Sequence, residues 1–165
     1  MRRVATFLGT AAVVLMATSV YAQAPDFSGT WTLDAEKTAA ANPNAGGGGG
    51  GRMGGGGGGR MGGAPIVFKQ DAKTLVITRT MGEMQMVTTY NLDGSPSKNQ
   101  GMGRQGGAAP EITSTAKWDG AKLVVTNDNG QSVTYHMDGA WLVQSTTRPG
   151  RDGGAATTNS QYYKK

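Results

Sequence analysis

The chain of 165 residues has no cysteine and a single histidine, His136. Without a thiol there are no disulfides, no thiolate zinc site, no cysteine nucleophile and no lipid anchor on cysteine. One histidine does not furnish a multi-histidine metal cage or the helical pair of a zincin. No Gly-x-Ser-x-Gly elbow is present, and acidic pairs such as Asp34 with Glu36 lack a spacing that singles out a glycosidase. No enzyme and no cofactor are expected. Past the N-terminus there is no further long apolar run, so no membrane-spanning segment is expected beyond it. Charge of one sign is scarce too: the chain carries 16 basic and 11 acidic side chains. That excess is too small to mark a nucleic-acid binder, and none is expected as a partner.

The N-terminus carries the features of an export signal. Arg2 and Arg3 precede an apolar stretch from Val4 to Val20, and Val20 with Ala22 offers the small residues that a signal peptidase needs. Residues 1–22 therefore read as a signal peptide, with cleavage after 22 or 24, and the remainder as a periplasmic or secreted single domain over 25–165. Removing Arg2 and Arg3 lowers the excess of basic side chains to three.

Glycine is the other conspicuous feature. Of 28 glycines, 14 fall between Gly46 and Gly63, in a run of six glycines followed by Arg-Met that occurs twice. Polyglycine has no side chains to bury and loses much backbone entropy on ordering, so residues 42–64 are expected to form a disordered loop within the domain. Residues 95–110 and 149–155 read as further loops. Arg52, Arg60, Arg104 and Arg151 each stand just before a Gly pair, as in Arg-Gly-Gly tails, but without the aromatics that stack on single strands. Solubilising loops are the simpler reading.

Elsewhere no apolar period of 3.6 persists for three turns, whereas alternation recurs. Nine runs read as strands: 27–33, 66–70, 74–80, 84–92, 112–118, 122–127, 132–137, 141–147 and 157–163. Turn dipeptides such as Asp119-Gly120, Asn129-Gly130 and Asp138-Gly139 join neighbours antiparallel. An echo supports the meander: Ala72-Lys73-Thr74-Leu75 and Thr89-Tyr90-Asn91-Leu92-Asp93-Gly94 recur as Ala121-Lys122-Leu123 and Thr134-Tyr135-His136-Met137-Asp138-Gly139. The expected fold is all-β, an antiparallel up-and-down meander closing into a barrel of eight or nine strands, because closure removes exposed edges.

Phe27-Ser28-Gly29-Thr30-Trp31-Thr32-Leu33-Asp34 resembles the Gly-x-Trp opening of lipocalin and wider calycin barrels. With Leu92-Asp93-Gly94 and Lys117-Trp118-Asp119-Gly120, the mature chain is similar to small exported bacterial lipocalin-like proteins. The resemblance implies a closed barrel end where Trp31 lies beneath a basic side chain from a late strand, matched here by Arg148. Simple alternation of nine strands agrees: it returns 141–147 to that end, puts the glycine-rich loop at the open mouth, and puts 95–110 and 149–155 at the closed end.

A barrel of this size is either filled by its own side chains or holds one small ligand. The inward phase collects Trp31, Leu33, Phe68, Met84, Met86, Tyr90, Trp118, Leu123, Val125, Tyr135, Met137, Trp141 and Val143. On the binding reading Trp31, Phe68, Met86, Tyr90, Trp118, Tyr135 and Trp141 line a pocket for a small hydrophobic or amphipathic molecule, with the two tyrosine hydroxyls orienting it. On the alternative reading all of them are core, and the outer surface meets envelope polymers or a protein. A third reading starts from Met81, Met84 and Met86, since thioethers select Cu(I). It requires the three to converge, whereas Met84 and Met86, in phase with Tyr90 and Leu92, read as core. Met53, Met61 and Met102 fall in the loops. His136, out of phase with Tyr135 and Met137, is expected on the solvated surface.

Overall fold

The computed structural model describes residues 24–43, 64–101, 109–150 and 154–165. The expected signal peptide, most of the glycine-rich stretch, Met53, Met61, Met102 and the four arginines of the Arg-Gly-Gly segments lie outside them. The described chain runs β1 (Gly29–Leu33), α1 (Ala35–Ala41), β2 (Ile66–Gln70), β3 (Thr74–Met81), β4 (Met84–Asn91), β5 (Pro96–Gln100), β6 (Glu111–Asp119), β7 (Lys122–Asn127), β8 (Ser132–Asp138), β9 (Trp141–Arg148) and β10 (Thr157–Lys164). All strand pairs are antiparallel, in the order β4-β3-β2-β1-β10-β9-β8-β7-β6-β5. The alternating runs thus form the expected all-β meander, nearly closed into a barrel, with ten strands in place of eight or nine. Among the described residues no helix is long and apolar enough to cross a membrane.

The additional strand is β5, in a stretch read from sequence as loop. Pro96-Ser97-Lys98-Asn99-Gln100 has no apolar alternation, so period alone does not reveal it. It forms because one edge pairs with β6, from Pro96↔Thr115 to Gln100↔Glu111, while its other edge meets β4 through side chains. The Thr89 N–H donates to Asn99 Oδ1 (2.8 Å) and Asn99 Nδ2 donates to the Thr89 carbonyl (3.0 Å). The Asn91 N–H donates to Ser97 Oγ (2.8 Å). One carboxamide thus supplies both the donor and the acceptor of a missing peptide group.

This extra strand reverses the direction of every later one. The tight connections 71–73, 92–95, 120–121 and 139–140 share one end of the barrel. The strand ends flanking the long connections after α1, after β5 and after β9 share the other. The expectation that 95–110 and 149–155 lie at the closed end is therefore corrected. At the tight end the Asp-Gly turns hold Gly120 at φ 58° and Gly139 at φ 59°, a left-handed conformation that favours glycine.

Helix α1 covers the outside of the sheet. Asp34 caps it by accepting from the Lys37 N–H (3.1 Å), and its side chains satisfy the stretch of β10 left bare where β1 ends. Thr38 Oγ1 accepts from the Tyr162 N–H (2.9 Å), Asn42 Oδ1 accepts from the Ser160 N–H (2.9 Å), and Asn42 Nδ2 donates to the Ser160 carbonyl (2.7 Å). Asn42, expected to open the flexible loop, is an anchor. With seven residues, the helix is too short to register as a sustained period.

Beneath the helix, β9 is buried on both faces. Register pairs Tyr135↔Gln144, Met137↔Leu142 and Tyr163↔Leu142, so Leu142 and Gln144 point into the barrel. Trp141 and Val143 point outward, which corrects their expected inward placement; Val143 is nonetheless only 1% exposed because it lies under α1. Lys37 Nζ sits 3.5 Å from the Trp141 ring centroid and 4.9 Å from that of Tyr162, and it pairs with Asp138 at 3.4 Å. The core proper includes Phe27, Trp31, Phe68, Leu75, Leu123 and Leu142, all buried. Complete burial of such an aliphatic or phenyl side chain is worth about 1.5–3 kcal/mol.

Candidate functional site

The barrel interior changes chemistry along its axis. At the tight-turn end it is aromatic: Trp31 Nε1 donates to the Phe27 carbonyl (2.8 Å), and the Phe27 ring stacks on Trp118 with centroids 5.7 Å apart. A cation lies over Trp31, but it is Lys165, with Nζ 4.9 Å from the ring. Arg148 pairs in register with Thr157 at the opposite end. The Trp31–Arg148 pair is therefore corrected to Trp31–Lys165. The reason is parity, since with β5 counted β9 runs away from Trp31 and β10 runs towards it. Gly29 keeps the passage open, because a Cβ there would lie 2.9 Å from Lys165 Cε on a backbone with φ +135°.

Midway up, the lining turns polar. Phe68 meets Tyr135 edge-on at 5.8 Å, and above them stand Tyr90, Tyr163, Gln144 and Arg79. Arg79 follows Leu75 and Ile77 in the inward phase of β3. Its Nη2 donates across the barrel to Gln144 Oε1 at 2.6 Å. Among the described residues no carboxylate forms an ion pair with it. Burial pushes the hydroxyls of Tyr90, Tyr135 and Tyr163 above the ordinary phenol range, and the positive charge of Arg79 partly opposes that rise at each. All three are neutral at physiological pH. The Tyr163 hydroxyl donates to Gln161 Oε1 (3.0 Å).

A guanidinium and neutral hydroxyls together form a polar, positively charged centre above an aromatic floor. Such a centre suits an acceptor, and a carboxylate most of all, because a guanidinium fork matches two oxygens. It has no nucleophile paired with a base. Among the described residues no three His, Asp or Glu side chains are grouped to hold a metal.

Of the seven expected lining residues, the structure brings Phe68, Tyr90 and Tyr135 together at mid-barrel. Met86 faces inward towards the long-loop end, where it pairs with Arg79 in register. Trp31 and Trp118 belong to the aromatic floor. Trp141 is outside, beneath Lys37. No match to a known family model or to a curated protein sequence is found for this chain. The site therefore rests on its geometry.

Sequence reasoning missed Arg79, Gln144 and Tyr163. Arg79 had a usable signal, a charged residue continuing the apolar phase of Leu75 and Ile77. Gln144 had none, since Val143 beside it is as apolar as any inward residue.

His136 faces outward as expected but is half-buried, next to Val143 in register. Its Nδ1 is buried without a hydrogen-bond partner among the described residues. Burial, helped by Lys122, lowers its pKa, so it is neutral at physiological pH. On the outer face of β6 and β7 a shallow groove of about 460 Å³ runs between Thr113, Thr115, Lys117, Thr126 and Asp128. It is separate from the barrel interior.

Proposed function

We propose that this protein is an exported, non-catalytic, lipocalin-like barrel that binds a small amphipathic molecule, its apolar part on the aromatic floor and its anionic head at Arg79. The observation that carries the reading is the Arg79 side chain, which crosses the inside of the barrel and ends on the neutral amide of Gln144. A cation taken into a barrel without a carboxylate partner costs desolvation energy, and a ligand bearing the opposite charge offsets that cost. Tyr90 and Tyr135 supply neutral phenols beside Arg79, while the Tyr163 proton is taken up by Gln161. The residues from Phe68 down to Trp31 supply the apolar surface expected of a small-molecule site.

Titration calorimetry with dodecanoate and with uncharged dodecanol tests this. Both should bind, dodecanoate more tightly, and Arg79→Gln should reduce dodecanoate affinity about tenfold or more, a loss of about 1.4 kcal/mol, while sparing dodecanol. If the unsubstituted protein binds neither, the barrel is filled by its own side chains and the search moves to macromolecular partners of its outer surface.

A further inference from the structure

Met81 and Met84 take no part in the barrel's core or in the ligand reading, and Met86, expected to line the pocket, stands beside them at the long-loop end. Met81 and Met84 are direct cross-strand partners flanking the turn of the β3–β4 hairpin, and Met86 follows opposite Arg79. Since side chains alternate along a strand, all three lie on one face of the hairpin. Directly opposed Cβ atoms stand about 4.5–5.5 Å apart and diagonal ones about 7–8 Å. An unbranched side chain with three rotatable bonds closes such gaps, so the three sulfurs are able to reach a common point.

The expectation that Met84 and Met86 are core methionines is corrected. Neither these two nor Met81 belongs to the core or packs against it, whereas Met137 does. Met84 is 69% exposed, a position at which an apolar side chain gains little from burial. From these observations the geometry points to a soft-metal site on the β3–β4 hairpin, in which the thioethers of Met81, Met84 and Met86 bind Cu(I).

The chemistry of the donors selects the ion. Neutral, polarisable thioethers favour a soft monovalent cation, whereas Zn(II) and Cu(II) favour imidazole, thiolate or several carboxylate ligands; this face has neither imidazole nor thiolate. Glu83, in the connecting turn, contributes a negative charge beside the cation. Arg79 shares the face, but its guanidinium is drawn to Gln144 on β9, away from the turn. The site stands independently of the ligand proposed for the barrel interior, and its failure would leave that reading untouched.

Ag(I), a redox-inert counterpart of Cu(I), is the first probe, followed by Cu(I) under anaerobic conditions against a chromophoric competitor. In protein labelled at the methionine methyls, one equivalent of Ag(I) should shift the Met81, Met84 and Met86 resonances together and leave Met137 in place. Each of Met81→Leu, Met84→Leu and Met86→Leu should weaken binding about tenfold or more, with an unchanged thermal midpoint showing that the fold is intact. Replacing Met53, Met61 and Met102 by leucine should leave affinity unchanged. The proposal fails if one equivalent of Ag(I) moves no hairpin methyl, or if the substitutions at 53, 61 and 102 abolish binding while those in the hairpin do not.

Discussion

The barrel is interrupted twice, and both gaps are bridged by the same device. Between β4 and β5, Asn99 exchanges two hydrogen bonds with the backbone of Thr89. Where β1 gives way to α1, Asn42 exchanges two with the backbone of Ser160. A carboxamide stands in for a peptide group in each case. The surroundings differ. At the helix seam, α1 buries Val143, Lys37 lies over Trp141, and Asp34 caps the helix while pairing with Lys164 at 3.4 Å. At the strand seam nothing comparable among the described residues covers β4 beyond Thr89, where Met84 and Val87 are 69% and 51% exposed. The amide bridge completes the ladder at both seams, but only where apolar surface is covered as well does it become part of a packed interface.

The largest expected effect separates the two bridges. Asn42→Ala leaves the Ser160 N–H and carbonyl without partners in a half-buried seam and should cost about 2–3 kcal/mol in denaturant unfolding. Asn99→Ala exposes the equivalent groups of Thr89 where water reaches them, so about 1 kcal/mol is expected there. Equal losses would show that covering the seam adds nothing to its bridge. Lys37→Met keeps the stem packed against Trp141 but removes the charge and the pair with Asp138; an intermediate loss of about 0.5–2 kcal/mol should follow, with a shift in Trp141 fluorescence.

The smallest effect is a pH dependence confined to one seam. The Lys37 backbone N–H, together with the Trp141 and Lys164 side chains, holds the Asp34 carboxyl below its ordinary value of 3.8. A carboxylate whose pKa is lower folded than unfolded stabilises the fold above the unfolded value, and that contribution is lost as pH falls through the folded one. Amide exchange at Ser160 and Tyr162 should therefore quicken as pH drops from about 4 towards 2, relative to an Asp34→Asn control. Thr89 and Asn91, whose bridges involve no ionisable group, should not show that difference. Matching changes at both seams would mean that acid acts on the barrel as a whole.

Much of this was readable in the chain. Leu75 with Ile77, Leu123 with Val125 and Val133 with Tyr135 alternate so clearly that strand and facing follow from them, and the Asp-Gly turns give the order. The mid-barrel site was half legible: Phe68, Tyr90 and Tyr135 stand in the expected phase, while Arg79, which continues the phase of Leu75 and Ile77, was not singled out. The resemblance led to Trp31 and to a cation above it but named the wrong residue, since which strand returns to that end depends on every strand before it. Trp141 was misplaced because β9 is apolar on both faces, and alternation has no preference between two buried sides.

The sequence by itself determined what is local: strands from a period of two, antiparallel connections from turn residues, and the shared face of Met84 and Met86. Tertiary structure decided what depends on counting and covering. Strand β5 exists because Asn99 and Ser97 find a backbone to bridge, and its existence reverses the run of β9 and brings Lys165 rather than Arg148 over Trp31. The inward face of β9 is settled by α1, which shelters Val143 from outside and leaves Gln144 to meet Arg79 within. Period and turn chemistry act over a few residues, whereas strand parity and the covering of a face are properties of the closed barrel.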